Sequence, residues 1–153
     1  MRSAATWSQN ISRDQQVTSR TLRLVVLIRI NLEWSESLLG TVLRTKSRLL
    51  VITFDDGSEF EYSFEYLRTH SPSAEVRGHG PGQEVLQTGK ENVVINSIEP
   101  VGHYAVRLIF DDGHDSGLYS WEYLYELGRD KGPNWRNYLD RLAAAGYPRQ
   151  KPI

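Results

Sequence analysis

The chain has no cysteine. That removes disulfides, thiolate zinc sites, cysteine-ligated iron–sulfur clusters and thiol catalysis together, and makes a cytoplasmic location the default expectation. It also has no excess of either charge. Its 18 basic and 19 acidic residues leave a net charge of −1, so no global basic field is available to hold nucleic acid, and no nucleic-acid partner is expected. Long apolar runs are missing too. The strongest, Leu22–Ile30 (LRLVVLIRI), is broken by Arg23 and Arg29 and falls well short of the roughly 20 residues a membrane helix needs. Its apolar core is also too short for a secretory signal, and no small-residue cleavage site follows it. No membrane partner is expected. Catalytic signatures are equally scarce. There is no G-x-S-x-G elbow, no serine in a recognisable Ser/His/Asp context, no phosphate loop and no dinucleotide fingerprint.

What is present is a phrase used twice. Phe54–Leu67 (FDDGSEFEYSFEYL) returns at Phe110–Leu124 (FDDGHDSGLYSWEYL), and with one extra residue allowed before Tyr119, nine of the fourteen positions are identical. In each copy an apolar strand ends in an aromatic and Asp-Asp-Gly turns it, since Gly takes positive φ freely and Asp tolerates it. A short return strand leads to a serine, Ser63 or Ser120, placed to cap a helical turn that carries a glutamate in its first positions.

In a chain of 153 residues, this pattern reads as one α+β domain. It is expected to be a small antiparallel sheet built from hairpins, namely two strand–turn–strand–helix units, with short helices and a C-terminal amphipathic helix. Residues 1–40 read as a disordered or non-native extension, 41–147 as the domain and 148–153 as a tail. Leu22–Ile30 stays open between an added strand and upstream sequence translated from an early start codon. Ser47–Phe54 is a strand whose two faces, Leu50/Ile52/Phe54 and Leu49/Val51/Thr53, are both apolar enough to be covered. Val93–Pro100 and Tyr104–Phe110 form a second hairpin. Gly128 is placed to end the helix after the second repeat. The last helix is expected from near Pro133, with Trp135, Tyr138, Leu139 and Leu142 in one stripe.

Between the repeats lies His70–Gln83 (HSPSAEVRGHGPGQ), whose Gly78, Gly80, Pro81 and Gly82 argue against regular structure; long irregular loops in compact domains are often functional. Turn chemistry explains the paired acids Asp55/Asp56 and Asp111/Asp112 as solvent-facing turn residues rather than metal carboxylates. The aromatics Tyr62, Phe64, Tyr66, Tyr119, Trp121 and Tyr123 read as core. His70, His79, His103 and His114 show no local metal spacing, so a metal site would have to be assembled by the fold with Glu75 or Asp115 as oxygen ligands. Arg77 and His79 on the glycine loop could hold an anion.

Leu67–Gln83, Gly89–Gly128 and the closing aromatic helix together resemble the gamma-butyrobetaine hydroxylase-like N-terminal domain family, in its small stand-alone bacterial form. The resemblance spans about Thr41 to Tyr147. In the two-domain hydroxylases that name the family, this domain precedes an oxygenase and resembles a zinc module with three cysteines and a histidine. The resemblance places the cysteines at Ser71, Ser73 and about Val76, and the histidine at His114. Only the histidine survives. The implied choice is between loss of the site, with the loop held by hydrogen bonds, and a rebuilt site of His70, Glu75, His79 and His114 holding one zinc or iron.

Loss is the favoured expectation, with no cofactor and no catalysis. The leading reading is therefore a non-catalytic binding or interaction domain whose working surface is Ser71, Ser73, Glu75, Arg77, His79, Gln83 and Asp115. A protein partner is expected. Related domains fused to P-loop ATPases of iron–sulfur cluster assembly suggest that machinery by analogy. The alternatives are a metal-binding accessory protein of iron or iron–sulfur metabolism, and an enzyme acting on a small anion in a pocket near Arg77 and His79.

Overall fold

In the computed structural model, which describes residues 23–26, 38–54 and 56–153, the two repeated phrases fold alike. In each turn the aromatic's N–H donates to the carbonyl four residues on: Phe54 to Ser58 at 2.8 Å and Phe110 to His114 at 3.0 Å. Gly57 and Gly113 both sit at φ 87°. The second aspartate of each turn accepts the N–H two residues later, Asp56 from Ser58 at 2.7 Å and Asp112 from His114 at 3.1 Å. Ser63 and Ser120 both cap as expected, accepting from Tyr66 N–H and Tyr123 N–H at 3.1 Å.

The chain divides into two compact units, 1–61 and 62–153. The first is a sheet in the order β1 (Arg23–Val26), β2 (Leu38–Arg44), β3 (Leu49–Phe54) and β4 (Glu59–Ser63), with β4 running across the boundary. Strand β1 pairs antiparallel with β2 from Arg23 opposite Arg44 to Val26 opposite Thr41. Part of Leu22–Ile30 is thus an added strand; the rest of the expected extension, 1–22 and 27–37, lies outside the described residues, as does Asp55. On β3, Leu50, Val51, Ile52 and Phe54 are all buried, as two covered faces require.

The second unit is built on a three-stranded antiparallel sheet, β5 (Ile95–Val101), β6 (Ala105–Phe110) and β7 (Leu118–Ser120). Four helices accompany it: α1 (Phe64–Thr69), α2 (Ala74–Arg77), α3 (Trp121–Arg129) and α4 (Lys131–Ala144). Every residue of α1 is buried, which is unusual for a segment carrying Glu65 and Arg68. Both charges are met. Glu65 takes a two-pronged bond from Arg149 at 2.9 and 2.6 Å, and Arg68 donates to Asp112 at 2.8 Å and to Gln87 at 3.2 Å. Five of the six aromatics expected in the core are buried there, and Tyr123 is half-buried.

Several details differ from the sequence reading. Gly128 does not end its helix; α3 runs on to Arg129, and Asp130 closes it by donating its N–H to Glu126. Helix α4 starts at Lys131, ahead of Pro133, and of the expected stripe only Tyr138 and Leu142 are fully buried. Gly146 at φ 70° donates to Ala143 and Tyr147 donates to Leu142, the paired bonds of a Schellman motif. Residues 148–153 are strapped back: Arg149 to Glu65, Gln150 N–H to Glu91 and Ile153 N–H to Asn92.

Candidate functional site

The 70–83 segment is not irregular throughout. Ser73 accepts the Glu75 N–H at 3.2 Å, which opens the single helical turn α2, and Gly78 closes it at φ 70° with its N–H on Ala74. A Cβ at Gly78 would run into the Gln83 carbonyl, so only glycine permits the loop to double back there. Gln83 N–H then bonds to Gly80 and Val85 N–H to Val76, closing the loop on itself.

Behind α2, the second turn delivers His114 to the loop. Its Nε2 lies 2.8 Å from Ser71 Oγ and its Nδ1 3.0 Å from Glu75 Oε2. Burial, reinforced by the nearby Arg68, lowers the imidazole's pKa from its ordinary value against the opposing pull of Glu75 and Asp112. The ring is therefore neutral near pH 7, and one tautomer satisfies the network. Nδ1–H donates to Glu75, and Nε2 accepts from the Ser71 hydroxyl, whose oxygen also receives the Ser73 N–H at 3.3 Å. Ser73 Oγ meets Ser116 Oγ at 2.9 Å. The positions that the resemblance mapped to zinc ligands thus do converge around His114, with Val76 buried in α2, but they form a hydrogen-bonded lock.

These residues do not fit zinc. Two hydroxyls and a valine replace thiolates, and both nitrogens of His114 are already committed. The alternative ligand set is not brought together either. Only Glu75 and His114 meet; His70 turns to Tyr66 O and Thr69 Oγ1, both at 3.0 Å, and His79 is exposed. Among the described residues no group of three or more His, Asp or Glu is arranged to hold a metal.

Serine, histidine and glutamate here stand in the hydrogen-bonded order of a hydrolase triad, which no sequence motif signalled. The surroundings argue against that role. Ser71 is 1% exposed, and the chain at Gly117 approaches it so closely that a Cβ there would strike Oγ. An acyl group on that oxygen would have no room. Glu75, by contrast, is largely exposed (69% for its side chain), unlike the buried carboxylate of a working triad.

On the other side of the loop opens a cleft of about 890 Å³, within the size range of small-molecule sites. One wall is α2 with the Gly78–Gly82 turn, and the other is the face of α4 that carries Asn134, Asn137, Tyr138 and Arg141; His70 and Tyr123 also line it. The walls are pinned. Tyr138 OH donates to Gln87 O at 2.8 Å, Arg141 Nη2 to Glu84 O at 3.0 Å, and Tyr123 OH to His70 O at 2.6 Å. Arg77 lies over the Tyr123 ring, 4.5 Å from its centre. Burial lowers the His70 pKa, so this ring too is neutral near pH 7.

Of the candidate site residues singled out in the sequence, His70, Ser71, Arg77 and His79 line this cleft. Ser73 and Glu75 belong to the lock, while Gln83 and Asp115 are exposed and outside the lining. Sequence reasoning missed Asn134, Asn137 and Arg141. Their i, i+3, i+7 spacing marks one helical face and was legible beside the apolar stripe. The acids of the second turn were also underread. Asp111 accepts the Val94 N–H at 2.9 Å, and Asp112 takes Arg68 at 2.8 Å and Lys90 at 2.6 Å. Partial burial works against ionisation of Asp112, but the bonds from Lys90, the His114 N–H and Arg68 hold its pKa down at about 2.

This fold, with its repeated turns and the loop between them, is that of a known family. The gamma-butyrobetaine hydroxylase-like N-terminal family matches residues 41–125, and the chain belongs to it. Two solution structures determined by NMR are similar. One is 53% identical with a TM-score of 0.67, the match covering 79% of this chain and 90% of the other. The second is 48% identical with a TM-score of 0.61, over 72% and 86% of the two chains. A crystal structure from Acidithiobacillus ferrooxidans, described as a protein of unknown function of the DUF971 family, is 36% identical with a TM-score of 0.50, over 60% and 91%. No curated protein matches. Among the described residues, no helix is long and apolar enough to cross a membrane.

Proposed function

We propose that the chain is a non-catalytic binding domain whose working surface is the cleft between the 70–83 loop and helix α4. The observation that carries this reading is the cleft itself: about 890 Å³, pinned on both sides, with polar groups from two separate segments facing one space. The Ser71–His114–Glu75 lock supports it by fixing the loop from behind, so the cleft is preformed and little ordering entropy opposes a ligand. A protein partner, the iron–sulfur assembly machinery included, would meet the chain at the same rim, through Arg77 and His79.

The test is an NMR screen of ¹⁵N-labelled full chain against a mixed library of neutral, cationic and anionic fragments. Hits should cluster their shift changes at Gly78–Gly82, Asn134 and Asn137, and should vanish in Gly78→Ala while β5–β7 signals stay in place. Hits scattered over the surface, or none at all, would refute the reading. In this proposal the lock makes a metal unnecessary. Elemental analysis of untagged protein purified without chelators should then find far less than one zinc or iron per chain. Stoichiometric metal lost on His114→Ala would bring back the metal-binding alternative.

A further inference from the structure

Six of the seven arginines of the second unit fall into two groups; the seventh, Arg136, is exposed and outside the cleft lining. Arg68, Arg107, Arg129 and Arg149 each hold a carboxylate, on Asp112, Glu99, Asp130 and Glu65 respectively. Arg77 and Arg141, the two that line the cleft, form no ion pair with any described carboxylate. In a chain with more acidic than basic residues, two such guanidinium groups facing one cavity are a local feature.

Both are also held in place. Arg77 lies over the Tyr123 ring, 4.5 Å from its centre, and also hydrogen-bonds that side chain, contacts that hold the cation in place while leaving other N–H groups of its fork available. Arg141 spends one donor on the Glu84 carbonyl and has four of its five N–H groups left. Glu84 is the one acidic residue in the cleft lining; one of its carboxylate oxygens accepts the Gly82 N–H at 3.4 Å, and backbone N–H groups, with the charge of Arg141 as a smaller contribution, lower its pKa. His79 and Asn137 add further hydrogen-bonding groups beside the two cations.

Resting on the binding-domain reading above, we infer that the cleft takes a small organic oxyanion, a carboxylate or a phosphate ester, with Arg77 and Arg141 as its charge contacts. The cavity is too large for an inorganic ion alone, so a carbon skeleton fills the space toward Asn137. Paired guanidinium forks are suited to carboxylate and phosphate alike.

The experiment is a ¹⁵N-detected titration of the full chain with succinate, citrate, inorganic phosphate and glycerol phosphate, with succinamide as the uncharged counterpart of succinate. At least one organic anion should shift Gly78–Gly82 and Asn137 saturably, and its binding should weaken as salt is raised. Succinamide should not. Inorganic phosphate should bind more weakly than its ester. Arg77→Gln and Arg141→Gln should each weaken the best anion roughly 10- to 100-fold, with the lysine variants between. Whether succinate and citrate or the phosphate ester binds tighter identifies the source of the oxyanion. Succinamide binding as well as succinate, glutamine variants binding unchanged, or no cleft shift with any anion would overturn the inference. If neutral fragments still cluster in the cleft, only the anion class falls; if nothing does, the binding-domain reading falls with it.

Discussion

At the scale of single residues, the most informative contact is the hydroxyl of Ser71 on the imidazole of His114. If it is a lock, Ser71→Ala strands a buried nitrogen without a donor and should cost about 1–3 kcal/mol in urea unfolding. A fluorophosphonate probe should leave the parent protein unlabelled; covalent labelling at Ser71 would make it a nucleophile instead. The same geometry sets a pH dependence. His70 and His114 both have lowered pKa values when folded, so below the unfolded-state value of about 6.5 the unfolded chain binds more protons than the native one. Their stabilisation is complete above that pH and is lost as pH falls below it. Urea midpoints should therefore drop between pH 7 and pH 5, and the drop should shrink in His114→Gln. An unchanged midpoint would mean that neither imidazole is held neutral.

At the scale of elements, legibility tracked how local the cause was. The Asp-Asp-Gly turns and the serine caps were readable because each depends on four or five adjacent residues. The ends of α3 and α4 were not, because Gly128 and Pro133 are weak local signals that packing overrides. The roles of Asp112 and Arg68 were hidden for a different reason, since they lie 44 residues apart and only the fold introduces them. Asp112→Asn probes this. It weakens the links among α1, Lys90 and the second turn, and should cost about 1 kcal/mol at neutral pH, since the carboxyl's pKa falls to about 2 but solvent screens a residue this exposed. This stabilisation is present above the unfolded carboxyl's pKa and disappears as pH falls through about 2, so parent and variant should converge there. A constant gap down to pH 2 would assign the loss to packing.

At the scale of the whole molecule, the candidate site was half legible. The loop declared itself through its glycines, and Arg77 and His79 do line the cleft. The opposite wall is supplied by α4, more than fifty residues later, and no local pattern joins the two. The same distance problem concealed the tail. Arg149 supports a carboxylate that is only 5% exposed, so Arg149→Ala should cost about 3–5 kcal/mol by leaving that charge buried alone. A Glu65→Gln, Arg149→Met double variant should recover much of the loss. Equal losses in single and double variants would show that the pair is not coupled.

That strap has a consequence for the order in which the chain can finish folding. Glu65 and Arg149 are separated by 84 residues. At about 5–20 residues per second of synthesis, the glutamate is made on the order of 4–17 s before its partner exists. Throughout that interval α1 can be buried only with an unmatched charge, a state the energetics disfavour. The hydrogen bonds of the β2–β3 hairpin join neighbouring segments and can form while translation continues. The interior of the second unit waits for Arg149, 84 residues after Glu65, so it closes later in synthesis than the hairpin.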